Sequence, residues 1–315
     1  MFLFVLPSSI YANNSLNDFK FDIDSLRFIT TDKNNLILIF DSSVTYLNQN
    51  NLKVETIKKI DGQFDKKLMF SNFEIVKNSI GDFFFVRKEL GEVFNFKNNS
   101  FSRLDKSTHS KIAKGSFKIF HNGHLLSFFG RDEYHASNFV LDFNLNSKVW
   151  NKIIPSNNSE IPTPRINSYF KKINDTVHYF GGKSINNKNL VETFLSDYYI
   201  YNLTDKKHEK VGELLNKDFR KATNGSVIDI NNYSSLFFNQ KEISLIDFKN
   251  LNSESKSINS VLGVNERQFY SSNVVKFKNK IYYFNDKNLT GLVNLESIEI
   301  SKIIDQFNDP STLLL

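Results

Sequence analysis

The feature that most constrains this chain is one strand-like run that recurs six times. Apolar and aromatic stretches stand at 36–40, 83–86, 125–129, 177–180, 235–238 and 281–284. Their last apolar residues, Phe40, Val86, Phe129, Phe180, Phe238 and Phe284, are 46, 43, 51, 58 and 46 residues apart. Upstream of each sits a serine: Ser25, Ser71, Ser116, Ser168, Ser226 and Ser272, at 15, 15, 13, 12, 12 and 12 residues before the marker. Asn, Asp and Gly fill the gap between, as in His121-Asn122-Gly123, Asn174-Asp175 and Asn231-Asn232. These residue types tolerate the positive φ that tight hairpins need, so each unit begins as two antiparallel strands.

Two further strands follow around a second polar turn. The clearest cases are 139–153, 198–211 and 243–258, and the pattern is weaker at 44–57, 92–104 and 291–304. Four strands per unit at this period predict an all-β chain: a six-bladed β-propeller of four-stranded antiparallel blades. The expected blades are 23–60, 68–105, 113–154, 165–212, 223–259 and 268–305, in one propeller domain over 13–315. A helical solenoid would need long apolar periods of 3.6, and the apolar residues here alternate or run in blocks. A plain sandwich would not carry six copies of one serine-to-aromatic spacing. The seam admits two readings: each unit supplies its own four strands, or residues 16–23 add a strand to the last blade.

The fourth unit reads Pro164-Arg165, then a strand ending in Gly181-Gly182, then the tyrosine-rich run 197–203. It resembles a kelch repeat. The third unit keeps Gly130 and the single tryptophan, Trp150. Elsewhere the glycine pair is replaced by Asn239-Gln240, Asn285-Asp286, Arg87-Lys88 or Asp41-Ser42. The resemblance implies a loop face presented to a protein partner. Some exported kelch-like propellers of this size act instead as sialic-acid epimerases (mutarotases), but no catalytic motif transfers residue by residue. The copper-radical oxidases of kelch-like fold need a cysteine cross-linked to tyrosine, and this chain has no cysteine.

That absence also removes disulfides, thiolate metal sites and a cysteine nucleophile. No cofactor or metal is expected. The 32 phenylalanines are read as filling between blades. Forty basic residues against 34 acidic give a net charge of +6, mixed along the chain with no clustered stripe. Nucleic acid is therefore not an expected partner. Residues 1–12 are apolar to Leu6, then carry Pro7, serines and Ala12. They read as the end of a signal peptide, with a first propeller strand as the alternative. The expectation is an exported monomer, periplasmic or secreted, with a cytoplasmic protein as the alternative. No segment has transmembrane length.

In a four-stranded blade the 2–3 and 4–1 connections emerge at one end. They are long around units three and four: 106–115, 130–136, 154–165 and 182–192. Ligand sites favour variable loops on a rigid scaffold. The candidate ligand-binding residues there are Arg131, Glu133, His135, Arg165 and Lys183, with Arg220 and Arg267 entering before units five and six. Asp132 and Tyr134 accompany them. Carboxylates beside an imidazole suit acid–base work, and convergent arginines suit an anionic sugar or an acidic peptide. The plain alternative is a wet surface loop. A non-catalytic binding module for a protein or glycan is the leading expectation, and an exported carbohydrate-active enzyme is its rival. Two motifs carry no chemistry on this reading. Gly181-Gly182-Lys183-Ser184 lacks the first glycine and the helix of a phosphate loop, and His121-Asn122-Gly123-His124 reads as a turn rather than a metal pair.

Overall fold

The computed structural model describes residues 10–11, 20–22, 26–32, 34–40, 43–48, 53–62, 73–78, 81–87, 91–97, 100–106, 114–131, 135–185, 191–213, 226–270, 274–286, 289 and 292–308. The chain is all-β, a six-bladed β-propeller of four-stranded antiparallel sheets. Contacts divide it into two compact units. One, 61–223, holds blades 2, 3 and 4; the other, 1–60 with 224–315, holds blades 1, 5 and 6.

In the first of these units, blade 2 is built from Phe73–Lys77, Phe83–Arg87, Val93–Lys97 and Ser100–Arg103, with Asp61–Gly62 laid parallel on its outer edge. Blade 3 is Phe117–His121, His124–Phe128, Val140–Asn144 and Val149–Ile153. Blade 4 is Tyr169–Ile173, Thr176–Phe180, Asp197–Asn202 and Lys207–Glu213. Period-2 alternation sends Val177, Tyr179, Tyr199 and Tyr201 of blade 4 against Phe117, Phe128 and Phe129 of blade 3. Phe117 stacks on Phe128 at 4.8 Å and on Phe170 at 4.2 Å between ring centroids. Between blades 2 and 3, Phe84, Val86 and Val93 meet Leu125 and Phe143. The single tryptophan works there too: Trp150 Nε1 donates to Gly91 O at 2.9 Å.

In the other unit, blade 1 is Leu26–Thr31, Asn35–Phe40, Ser43–Asn48 and Val54–Lys59. Blade 5 is Ser226–Asp229, Ser234–Phe238, Glu242–Asp247 and Asn252–Ser257. Blade 6 has three strands from the C-terminal part of the chain, Val275–Phe277, Lys280–Asn285 and Leu292–Glu299. Its fourth comes from the N-terminal part: Lys20–Asp22 pairs antiparallel with the third, in register Lys20↔Asn294, Phe21↔Val293 and Asp22↔Leu292. Of the two readings of the seam, the structure takes the one in which 16–23 supplies a strand. Ile10–Tyr11 pairs in turn with Lys20–Asp22, and the rest of the leader-like stretch lies outside the described residues.

The second polar turn and strand expected within 291–304 are not formed. After Glu299 the chain becomes a helix, Ile300–Asn308, which buries Ile303 and Phe307. The reason is periodicity: Ile300, Ile303, Ile304 and Phe307 recur at i, i+3, i+4 and i+7. That stripe joins the core that Phe238, Phe269, Ile281 and Tyr283 form between blades 5 and 6. No helix among the described residues is long and apolar enough to cross a membrane.

Candidate functional site: the loop face of blades 3 and 4

The site starts from one corner of backbone. After its second strand, blade 4 turns through Gly181 (φ 64°) and Gly182 (φ 89°). A Cβ on Gly182 would lie 2.6 Å from Ile166 O and 2.8 Å from Ser168 Oγ. Only glycine lets the chain run this close to 166–168 in a left-handed conformation. The close approach makes a two-way bridge: Lys183 N donates to Ile166 O, and Ile166 N to Lys183 O, both at 2.9 Å. Blade 3 makes the same corner with Phe129 (φ 61°) and Gly130 (φ 94°), so the pair survives there with one glycine replaced.

Backbone hydrogen bonds then stitch neighbouring connections together. Gly130 N donates to Arg165 O at 3.1 Å, and Arg165 N to Ser137 O at 3.1 Å. Ser137 N returns to Gly130 O at 2.7 Å. Arg131 N reaches Lys114 O at 2.9 Å, and Asn167 N reaches Gly115 O at 2.7 Å. The connections leading into blades 3 and 4 and those inside them thus form one surface with a paired backbone.

Arg165 is the keystone of that surface and not its outward charge. Its side chain is 0% exposed. The guanidinium forks onto Asp197, Nη1 to Oδ1 and Nη2 to Oδ2, both at 2.7 Å. Nη1 also donates to Gly181 O at 3.2 Å and Nε to Thr163 O at 3.0 Å. Four of its five N–H donors are therefore engaged inside the protein. The rings of Phe129, Tyr179 and Tyr199 surround it at 5.4–5.7 Å. The arginine and the glycine pair act together, since Arg165 holds the carbonyl of Gly181 in place.

Among the other candidates, Lys183 opens a two-stranded hairpin, Lys183–Ile185 with Glu192–Phe194, inserted in the 2–3 connection of blade 4. Its ammonium pairs with Glu192 at 2.7 Å and lies 5.1 Å from the Phe194 ring. Val191 (53% exposed) and Phe194 (38%) are open to solvent on this hairpin. Arg131 is half-buried and His135 exposed, on the 2–3 connection of blade 3. Arg267 is exposed in the other unit, its amide held by Asn265 Oδ1. Asp132, Glu133, Tyr134 and Arg220 lie outside the described residues. The structure thus gathers Arg131, Arg165 and Lys183 through their backbones, while their charges point to different tasks.

The residue that sequence reasoning missed is His208. It is fully buried beneath this surface, paired in register with Tyr201, and its Nδ1 lies 2.8 Å from Tyr179 Oη. Its Nε2 and Tyr201 Oη are buried without a hydrogen-bond partner. Burial first, and the charge of Arg165 second, push the imidazole down to about 4. Burial also drives the Tyr179 phenol far above its ordinary value. The signal was present in the strand Lys207–Glu213, where alternation turns position 208 inward among exposed charged neighbours.

The two motifs set aside in the sequence have local explanations. His124 Nδ1 lies 2.8 Å from Asp142, and His121 sits beside Asp175 at 3.9 Å. Among the described residues no group of three or more His, Asp or Glu side chains is placed to hold a metal ion. Gly181-Gly182-Lys183-Ser184 forms the corner and the first strand of the hairpin, and no helix follows among the described residues. Comparison with protein-family models found no match, and a search of curated proteins found no similar sequence either.

Proposed function

We propose that the chain is a non-catalytic binding module that presents the loop face of blades 3 and 4 to a protein partner. The observation that carries this reading is the exposed hairpin of blade 4. It places Val191 and Phe194 in solvent on a base whose backbone is already paired. Apolar and aromatic anchors on a pre-ordered base lose little conformational freedom on binding. Arg165, the cation best suited to an anionic sugar, is engaged by Asp197, which weakens the carbohydrate reading of this face. The joint use of Arg165 and Gly181-Gly182 supports reading the repeats as degenerate kelch units. Export belongs to the same proposal, with a surface or envelope protein as partner; cleavage after Ala12 would take Ile10–Tyr11 off the edge of blade 6, where it pairs with Lys20–Asp22.

A photoreactive residue at position 194, in cells that make the protein, tests the reading. The expected result is one dominant protein adduct, absent when the probe replaces exposed Glu254 of blade 5 and lost on Val191→Asp. Equal labelling from both positions would overturn it. So would saturable glycan binding or accelerated anomer exchange that Arg131→Ala abolishes, and that outcome would restore the carbohydrate reading.

A further inference from the structure

Blade 5 carries an unassigned feature at the opposite end of its strands from its 2–3 connection. Its 1–2 turn and its 3–4 turn enclose an open depression of about 490 Å³, lined by Asn231, Asn232, Tyr233, Ser234, Asp247 and Lys249. It is shallow and open, so a ligand seated there would keep much of its surface in solvent.

The walls are fixed by backbone-directed bonds. Asn231 Oδ1 accepts from Tyr233 N and Ser234 N, both at 2.8 Å. Asp247 Oδ1 accepts from Lys249 N at 2.8 Å and Asn250 N at 3.2 Å. Phe248 N donates to Tyr233 O at 2.8 Å, which ties the two turns to each other, while the Phe248 ring is buried beneath.

The 1–2 turn of this blade is also longer than those of blades 3 and 4. Blades 3 and 4 turn through two residues, Asn122-Gly123 and Asn174-Asp175, whereas blade 5 inserts four, Ile230 to Tyr233, between its strands. The longer turn lifts a tyrosine to its tip. Tyr233 is 46% exposed, so its ring is not part of the core. Asn232 and Lys249 are exposed beside it. An aromatic face next to an amide, an ammonium and a carboxylate matches a pyranose. The ring's C–H face lies on the π-system, and its hydroxyls take donors and acceptors around the rim. The ammonium of Lys249 and the carboxylate of Asp247 offset each other, which favours a neutral sugar.

We propose that the depression between the 1–2 and 3–4 turns of blade 5 is a binding site for a neutral pyranose, stacked on Tyr233 and hydrogen-bonded by Asn232, Asp247 and Lys249. It does not rest on the loop-face reading of blades 3 and 4. The test is saturation-transfer NMR with titration of the full chain against the methyl glycosides of glucose, galactose, mannose and N-acetylglucosamine. At least one is expected to bind saturably, with Tyr233→Ala weakening it about tenfold or more and Tyr233→Phe retaining most of the affinity. Tyr233→Ala keeps the carbonyl that Phe248 N uses, so the fold is expected to stay intact. Arg131→Ala, in the other unit, should leave the affinity unchanged. Absence of saturable binding across the panel would overturn the proposal, as would binding indifferent to Tyr233→Ala or lost on Arg131→Ala.

Discussion

Blades 4 and 5 share a four-stranded meander and solve the same corner in opposite ways. Blade 4 leaves its second strand through two left-handed glycines and returns only at Asp197, with a hairpin in between. Blade 5 leaves through Asn239, whose Oδ1 accepts from Lys241 N and Glu242 N at 2.8 Å, and the chain is back in the sheet at Glu242. An Asx turn closes the loop on itself. A left-handed glycine pair instead sends the chain outward along its neighbour, where cross-connection hydrogen bonds can hold a long insertion. Blade 5 places its extra length at the other end, in the turn that carries Tyr233. Corner chemistry, more than the sheet, decides which end of a blade is elaborated.

Several substitutions probe this contrast, and the largest effect is expected at its keystone. Arg165→Met removes a fully buried cation and leaves Asp197, 13% exposed, without its partner. A loss of about 3–5 kcal/mol in urea unfolding is expected. Replacing both members, Arg165→Met with Asp197→Leu, should recover part of that loss, because no uncompensated charge remains. A cost under about 1 kcal/mol for the single change would remove the keystone role.

Acid comes next. His208 is neutral in the folded protein, with its pKa lowered from 6.5 to about 4. Its contribution is fully present above 6.5, and it declines as pH falls from there through 4. At 1.36 kcal/mol per unit this amounts to roughly 3 kcal/mol. Unfolding titrations between pH 7 and 4 (roughly the window set by these values) should show the decline, and His208→Phe should flatten it. An unchanged slope in that variant would place the acid sensitivity elsewhere, first at His178, which burial and Lys171 also bring down to about 4.

The two corners can be compared directly. Gly182→Ala adds a Cβ against backbone in a left-handed conformation, with an expected cost of about 2–3 kcal/mol. Asn239→Ala removes only the Asx contacts, with an expected cost of about 1 kcal/mol. Equal costs would erase the distinction between the corners. Smallest of all, Lys183→Ala should change stability by less than about 0.5 kcal/mol, since its ion pair with Glu192 is partly exposed. A larger loss would make the hairpin part of the scaffold rather than a surface mounted on it.

The fold was readable because its signals are local and repeated. The serine-to-aromatic spacing, the Asn/Gly turns and Gly181-Gly182 each specify a strand or a corner within about fifteen residues. What stays open or hidden is set by distant pairing. The strand that completes blade 6 joins Phe21 to Val293; the sequence leaves the seam open between this and a self-contained last unit, because nothing near Glu299 shows which end of the chain completes the sheet. Arg165 looks like an outward loop arginine because its partner lies 32 residues away at Asp197. Alternation alone could have found His208, but the charged residues around it in Lys207–Glu213 mask the inward position. Tyr233 carries no signal of its own, because the asparagine-rich turn around it masks a lone aromatic.

Native-state hydrogen exchange of the bonds between connections tests the central claim most directly. If the loop face of blades 3 and 4 is held by its backbone, the amides of Gly130, Ile166, Asn167 and Lys183 should exchange only through cooperative opening, as slowly as the neighbouring strand amides of Thr176–Phe180. The amide of Lys241, held by its own turn at Asn239, should exchange earlier through local opening. If the four amides of blades 3 and 4 exchange as fast as Lys241, the loops are independent of one another, and the account of a pre-ordered binding face is wrong.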